Sequence, residues 1–70
     1  MAERDPRTEP KAGDVLRVGC VTRTVLDAEG IYQKYGFIYV IETVQPRSVV
    51  PVLKQWRKWA KKAEVIHAAD

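Results

Sequence analysis

The chain has 70 residues, 46% of them hydrophobic, and a formal net charge of +3, which limits it to one small domain. Its lone cysteine, Cys20, excludes an intramolecular disulfide, and one cysteine with one histidine cannot build a structural zinc site of the usual Cys/His kind. Stability must therefore come from packing, from a partner or from a second copy of the chain.

The first ten residues differ in composition from the rest. Residues 1–10 contain two prolines and five charged residues, which predicts a flexible tail followed by a single domain over residues 11–70. The start of the chain has no apolar signal region, and the longest apolar run, Phe37–Ile41, is too short to span a bilayer. With a free cysteine, this predicts a cytoplasmic protein without a membrane span.

The segment from Val15 to Leu26 is rich in β-branched residues, which predicts strand structure. Leu16, Val18 and Cys20 alternate with polar or small residues, so one face is apolar and Cys20 is expected to be a small core residue. The glycine at position 19 leaves two alternatives. One is a single long bent strand, and the other is two short strands that meet near residues 19–20.

The middle of the chain contains the strongest strand signal. Residues 27–30, D-A-E-G, predict a turn, and residues 31–35 fit no single element. Residues 37–44, F-I-Y-V-I-E-T-V, predict a central strand of a small curved sheet, because only Glu42 is charged.

A helix is predicted near the C-terminus. Pro46 ends the preceding strand, Ser48 can cap a helix, and the helix is expected to run from Pro51 to Lys62 or Ala63. Beyond it, either the helix continues to about residue 67, or residues 64–67 form a short closing strand.

These elements predict an α+β domain: a small, strongly bent antiparallel β-sheet with one C-terminal amphipathic basic helix. Residues 13–18, G-D-V-L-R-V, and residues 59–66, W-A-K-K-A-E-V-I, resemble the opening strand and the closing part of SH3-like small barrels. The closing stretch is also similar to small uncharacterised phage and prophage proteins. The resemblance covers residues 12–67 and implies a barrel. A plain three-strand sheet with a helix is the alternative, since the helix is longer than the single turn of that fold.

The predicted helix separates its residues by chemistry. At about 100° per residue, Leu53, Trp56, Trp59 and Ala60 share one arc, which predicts that both indoles are buried against the sheet. The opposite arc is basic, and residues 54–62 contain no acidic residue. This pattern indicates an anionic partner, and the predicted nucleic-acid-binding residues are Lys54, Arg57, Lys58, Lys61, Lys62 and Arg47, with Arg17 and Arg23 in support.

A second candidate site is aromatic. Tyr32, Lys34 and Tyr35 lie between two glycines and could form a binding lip. The alternative is that Phe37 and Tyr39 belong to the core and that the other two tyrosines cover its edge.

Catalytic chemistry has no support in the residues. Cys20 and His67 lack a local motif, the carboxylates are scattered, and no Gly-rich phosphate loop is present. The sequence therefore predicts no catalytic residues, no metal site, no cofactor and no enzyme activity.

The sequence thus predicts a small non-enzymatic binding module whose partner is nucleic acid. The alternative is a protein-interaction module, such as a phage-encoded inhibitor or regulator of a host protein, or a homodimer. A third reading, a helix that lies on a membrane surface, suits the Trp and Lys content but requires a longer helix.

Overall fold

The computed structural model describes residues 4–44 and 46–69, which form one antiparallel sheet and two helices. The α+β class and the antiparallel sheet predicted from the sequence are confirmed. The strands are β1 (Val15–Val18), β2 (Val21–Asp27), β3 (Tyr39–Glu42), β4 (Arg47–Val49) and β5 (Glu64–His67), and the helices are α1 (Ile31–Lys34) and α2 (Leu53–Ala60).

The strand order across the sheet is β4-β3-β2-β1-β5, and all neighbours are antiparallel. Because β4 and β5 lie at opposite edges, the sheet is open and the predicted closed barrel is wrong. The three-strand alternative is also wrong, since β4 and β5 are added at the two edges. Register shifts between Val15 and Leu16 and between Val25 and Asp27 interrupt the ladders, as bulges that bend strands do.

A two-residue turn at Gly19 and Cys20 joins β1 to β2, so the second alternative for this segment, two short strands, is confirmed. Gly19 has φ of 60° and Cys20 has no positive φ, which fits a type II′ hairpin turn with glycine in its first position. Cys20 is exposed, so its predicted place in the core is wrong. The alternating pattern that favoured burial ends at Val18, where the chain reverses.

The core lies between α2 and one face of the sheet. Leu16, Val25 and Val40 come from three neighbouring strands, and α2 contributes Trp56, the largest of the fully buried side chains. Ile38, directly before β3, and three alanines complete the core: Ala28, Ala60 and Ala63. Because these alanines are small, the sheet and α2 can pack closely around the buried indole of Trp56.

Helix α2 is shorter than predicted, because it begins at Leu53 and ends at Ala60. The predicted cap, Ser48, instead lies in β4 and its Oγ is 2.9 Å from the hydroxyl of Tyr39. After the helix, the closing strand Glu64–His67 pairs with β1, so the strand alternative for these residues is confirmed and the helix alternative is wrong.

Residues 4–10, which the sequence placed in a flexible tail, lie against α2. Pro6 and Pro10 are buried, and the carbonyl of Pro6 accepts a hydrogen bond from Trp56 Nε1 at 3.2 Å. Arg7 Nε donates to the carbonyl of Ala63 at 2.8 Å. A charged, proline-rich composition predicts a lack of apolar burial, but here arginine donors and proline rings supply the contacts. Residues 1–3 of the predicted tail lie outside the described residues.

Asp14 connects this segment to the end of the chain. Its buried carboxylate accepts hydrogen bonds from two nitrogens of Arg4 at 2.6 and 2.9 Å, from the backbone N–H of Lys11 at 2.8 Å and from that of Ala69 at 2.6 Å. The residues near both termini are thereby held at the start of β1.

Candidate functional site

The cations around α2 lie on its outer side. Trp56 and Ala60 are fully buried, and the basic side chains of residues 54–62 are all exposed, as the amphipathic pattern predicts. Lys61 and Lys62 follow the last helical residue and lie in the turn before β5. We call the four exposed lysines the lysine surface: Lys54, Lys58, Lys61 and Lys62.

The start of α2 is set by backbone contacts rather than by a side-chain cap. Val52 is the extended N-cap residue and makes no capping hydrogen bond with its side chain. Leu53 N–H donates instead to the carbonyl of Gly36 at 2.6 Å, which fixes the first turn against the end of α1. No acidic residue lies in the first turn, where the helix dipole favours a negative charge, and Lys54 lies there instead.

No lysine of the lysine surface has a carboxylate within 4.0 Å among residues 4–44 and 46–69. Glu64, the acidic residue nearest in sequence, contacts Arg17 at 2.8 Å instead. The positive charge of this surface is therefore not balanced by any acidic side chain in the described part of the chain.

Arg57 belongs to the same side of the helix but is held differently. Its Nε donates to the carbonyl of Thr8 at 3.0 Å, so the N-terminal segment fixes the direction of its guanidinium. The side chain remains exposed, and the planar group keeps further N–H donors beyond the one used here.

Both indoles are engaged inside the protein. Trp56 is fully buried, and the partly buried Trp59 lies beside it, with ring centroids 5.2 Å apart at 38°. The guanidinium carbon of Arg23 lies 4.5 Å from the centre of the Trp59 ring. The predicted burial is confirmed for Trp56, whereas Trp59 is only partly buried, with Arg23 and Trp56 against its ring.

Arg47 lies apart from the lysine surface, on the edge strand β4. Its guanidinium is 3.7 Å from Oε2 of Glu42, which also contacts Arg23 at 3.2 Å. Arg17 and Arg23, expected to support binding, are therefore each paired with a carboxylate, and Arg47 shares one. The contacts of Arg47 are with Glu42 rather than with the cations of α2, and Glu42 in turn contacts Arg23, whose guanidinium lies over Trp59.

The predicted aromatic lip divides into two parts. Tyr32 stacks on Tyr39 with centroids 5.3 Å apart at 14° and is half-buried. Tyr35 is 66% exposed, the most exposed aromatic side chain in the described part of the chain, and Lys34 Nζ lies 6.0 Å from its ring centre. Phe37, which the alternative interpretation placed in the core, is 38% exposed.

Groups that could hold a metal ion are not brought together in the described residues. No cluster of three or more His, Cys, Asp and Glu side chains suited to a metal ion occurs within residues 4–44 and 46–69. A shallow cleft of about 450 Å³ lies between the N-terminal segment, α1 and α2, and its charged lining carries both signs, as in Arg57 and Glu29.

Sequence reasoning missed the contacts made by residues 4–10, including the carbonyl of Thr8 that orients Arg57. A usable signal was the spacing of Pro6 and Pro10, since two prolines four residues apart stiffen a segment and lower its ordering cost.

The chain matches no known protein family, no characterised protein and no solved structure. Within the described residues, neither helix has the length and apolar character that crossing a membrane requires. Function must therefore be argued from the geometry above.

Proposed function

We propose that the protein is a non-enzymatic module that binds nucleic acid through the lysine surface and Arg57. The observation that carries this proposal is the unbalanced charge of the lysine surface, which has no carboxylate within 4.0 Å among the described residues. Protein surfaces normally intersperse the two signs, so a helix side with cations alone attracts an anionic partner.

Helix stability accounts for the cations of the last turn, Arg57 and Lys58, which suit the negative end of the helix dipole, but not for Lys54. Lys54 lies in the first turn, where the positive end of the helix dipole disfavours a cation, and it stands four residues before Lys58, a spacing at which like charges repel. Both effects act against folding by a few tenths of a kcal/mol or more. Because Lys54 lowers stability without a structural gain, its presence supports a role in binding.

The chemistry of the proposed contact is phosphate neutralisation. Each ammonium that replaces a condensed counterion on a phosphate contributes affinity that falls with salt. The helix offers Gln55 as its one exposed neutral polar side chain, and both indoles are turned inward. Binding through α2 therefore depends on charge rather than on base sequence.

The test is fluorescence anisotropy with labelled DNA and RNA oligonucleotides at low salt. The double variant Lys58→Glu/Lys61→Glu is expected to bind roughly 10- to 100-fold more weakly, because two phosphate contacts become repulsive. Two single variants, Lys58→Glu and its control Arg17→Glu, give a matched comparison because each lowers the net charge by two. Arg17 is the control because it is already paired with Glu64. The proposal predicts a much larger loss for Lys58→Glu. Equal losses, or no binding by the wild type, would contradict it.

A protein-interaction module, including a homodimer, is the second candidate. The observation that favours it is the open sheet, because β4 and β5 each have one edge that pairs with no other described strand. An extended peptide or a second chain can add to such an edge. Capture of a protein from lysate that persists after nuclease treatment, together with lost binding when β5 is altered, would support this candidate over nucleic acid.

A further inference from the structure

Backbone contacts join the segment after α1 to the start of α2. Leu53 N–H donates to the carbonyl of Gly36 at 2.6 Å, and Phe37 forms an isolated antiparallel bridge with Val52. Tyr35 therefore precedes this junction by one residue, and Lys54 follows it by one residue. The backbone at Tyr35 is therefore placed beside the start of α2, where Lys54 begins the lysine surface, and the Tyr35 ring is exposed.

The exposure of Tyr35 is not explained by folding. Its side chain is 66% exposed, and Ile31, one helical turn earlier, is 69% exposed. The other two tyrosines are stacked on each other, and Tyr39 also contacts Ser48. An aromatic ring that remains in water contributes little to stability, and the position of Tyr35 next to unbalanced cations suits an anionic ligand with a flat, apolar face.

We propose that the preferred ligand is single-stranded nucleic acid, with one unpaired base stacked on the Tyr35 ring and neighbouring phosphates against Lys34 and the lysine surface. This inference rests on the proposed function and adds its substrate class. Bases in a duplex have both faces covered by their neighbours, so an exposed ring gains contact only with an unstacked base. Trp56 is fully buried and Trp59 is partly buried against Trp56 and Arg23, so Tyr35, the most exposed aromatic side chain among the described residues, is best suited to supply this contact beside α2.

The stacking contact is common to DNA and RNA, because every base has a π-face. The experiment therefore compares three labelled probes: oligothymidine and oligouridine of about 12 nucleotides, within the range that small single-strand binders cover, and a duplex of equal length. Anisotropy is measured at low salt with the full chain. Both single strands are expected to bind more tightly than the duplex.

The decisive variant is Tyr35→Ala. Loss of one stacked base is worth about 1–3 kcal/mol, so affinity for both single strands is expected to fall roughly 5- to 150-fold while duplex affinity stays the same. Tyr35→Phe keeps the ring and should recover most of the loss. Val44→Ala, which shortens an apolar side chain that is 48% exposed between β3 and β4, is the control for a nonspecific effect.

A second readout reports stacking directly. In the variant Tyr35→Trp the new indole lies at the proposed contact, and its emission should be quenched when oligothymidine binds. The wild-type emission comes from Trp56 and Trp59, which are engaged inside the protein, and should change little.

The outcomes separate the two proposals. If Lys58→Glu weakens binding but Tyr35→Ala leaves single-strand affinity unchanged, or if the duplex binds as tightly as the single strands, the single-strand inference is wrong and the phosphate-binding function stands. If none of the three probes binds at low salt, both proposals are wrong.

Discussion

Trp56 and Lys58 are two positions apart in the chain and have opposite surroundings. Trp56 is fully buried and donates its Nε1–H to the carbonyl of Pro6, whereas Lys58 is exposed and has no carboxylate partner in the described residues. A rotation of about 200° between positions i and i+2 of a helix accounts for this contrast. The tryptophan therefore acts in folding, and the lysine is free to act in binding.

Replacement of Trp56 by alanine should remove a large part of the free energy of unfolding. Large-to-small changes at buried aromatic sites cost about 3–5 kcal/mol, against a total of roughly 4–10 kcal/mol for a domain of this size. Urea denaturation followed by circular dichroism measures the loss. The matched control is Gln55→Ala, at an exposed neighbour in the same helix, which should change stability by less than about 0.5 kcal/mol. A loss for Trp56→Ala as small as that of the control would refute the assignment of Trp56 to the core.

At the scale of elements, the sequence predicts best where the period is clear. The strands within residues 15–26, the strand within residues 37–44 and the helix α2 follow from strand composition or helical spacing, whereas the sequence left β5 as one of two alternatives. Helix α1 and strand β4 were missed. Each has only three or four residues, too few for a period, and β4 follows directly after a proline that marks a turn.

The charge pattern of α2 leads to a prediction about its stability. Lys54→Glu would place an acidic residue in the first turn, worth about 0.3–1 kcal/mol, and would add an i,i+4 pair with Lys58, worth about 0.2–0.5 kcal/mol. The variant should therefore be more stable in urea denaturation and bind nucleic acid more weakly. Lys54→Gln, which removes the cation without adding an anion, should give an intermediate change in both measurements. If Lys54→Glu destabilised the protein, the lysine would have a structural role and the proposal would lose that support.

At the scale of the whole molecule, contacts distant in sequence hold the domain together. Asp14 joins Arg4 and Ala69, and residues 4–10 lie along α2, which sequence composition alone does not predict. Propensity and periodicity report local preferences, whereas these hydrogen bonds form only after the sheet brings the two ends together. For the same reason, the basic residues of the proposed site could be found from the sequence. The ion pairs of Arg17 with Glu64 and of Arg23 with Glu42 could not.

The hydrogen bonds that the Asp14 carboxylate accepts make the stability of the protein depend on pH. Burial by itself would raise the pKa of this carboxyl, but the hydrogen bonds from Arg4, Ala69 and Lys11 and the charge of Arg4 outweigh it, and the pKa lies below its ordinary value. A carboxyl whose pKa is lowered by folding stabilises the protein above the unfolded pKa of about 3.9, and this contribution is lost as the pH falls through the folded pKa.

We therefore expect Asp14→Asn to reduce the free energy of unfolding at neutral pH by about 1.5–3 kcal/mol, as the loss of hydrogen bonds to a charged group does. The difference from the wild type should begin to shrink as the pH falls below about 4, because Asp14 is then protonated in the unfolded chain, and it should continue to shrink towards the lower folded pKa. Urea denaturation between neutral pH and pH 3 measures both effects. Glu64→Gln, at an exposed ion pair with Arg17, is the control and should cost about 0–1 kcal/mol. If the difference in the free energy of unfolding between the wild type and Asp14→Asn did not change with pH, the stabilising role of the ionised Asp14 carboxylate would be contradicted.

The proposed contact between phosphates and the lysine surface is tested most directly by the salt dependence of binding. The affinity for oligothymidine is measured over a range of salt concentrations for the wild type and for Lys58→Gln/Lys61→Gln. With two phosphate contacts removed, the slope of log affinity against log salt should become less steep by about 1.4, at roughly 0.7 for each contact with a single strand. Equal slopes for the two proteins would show that these lysines do not contact phosphates and would contradict the proposed function.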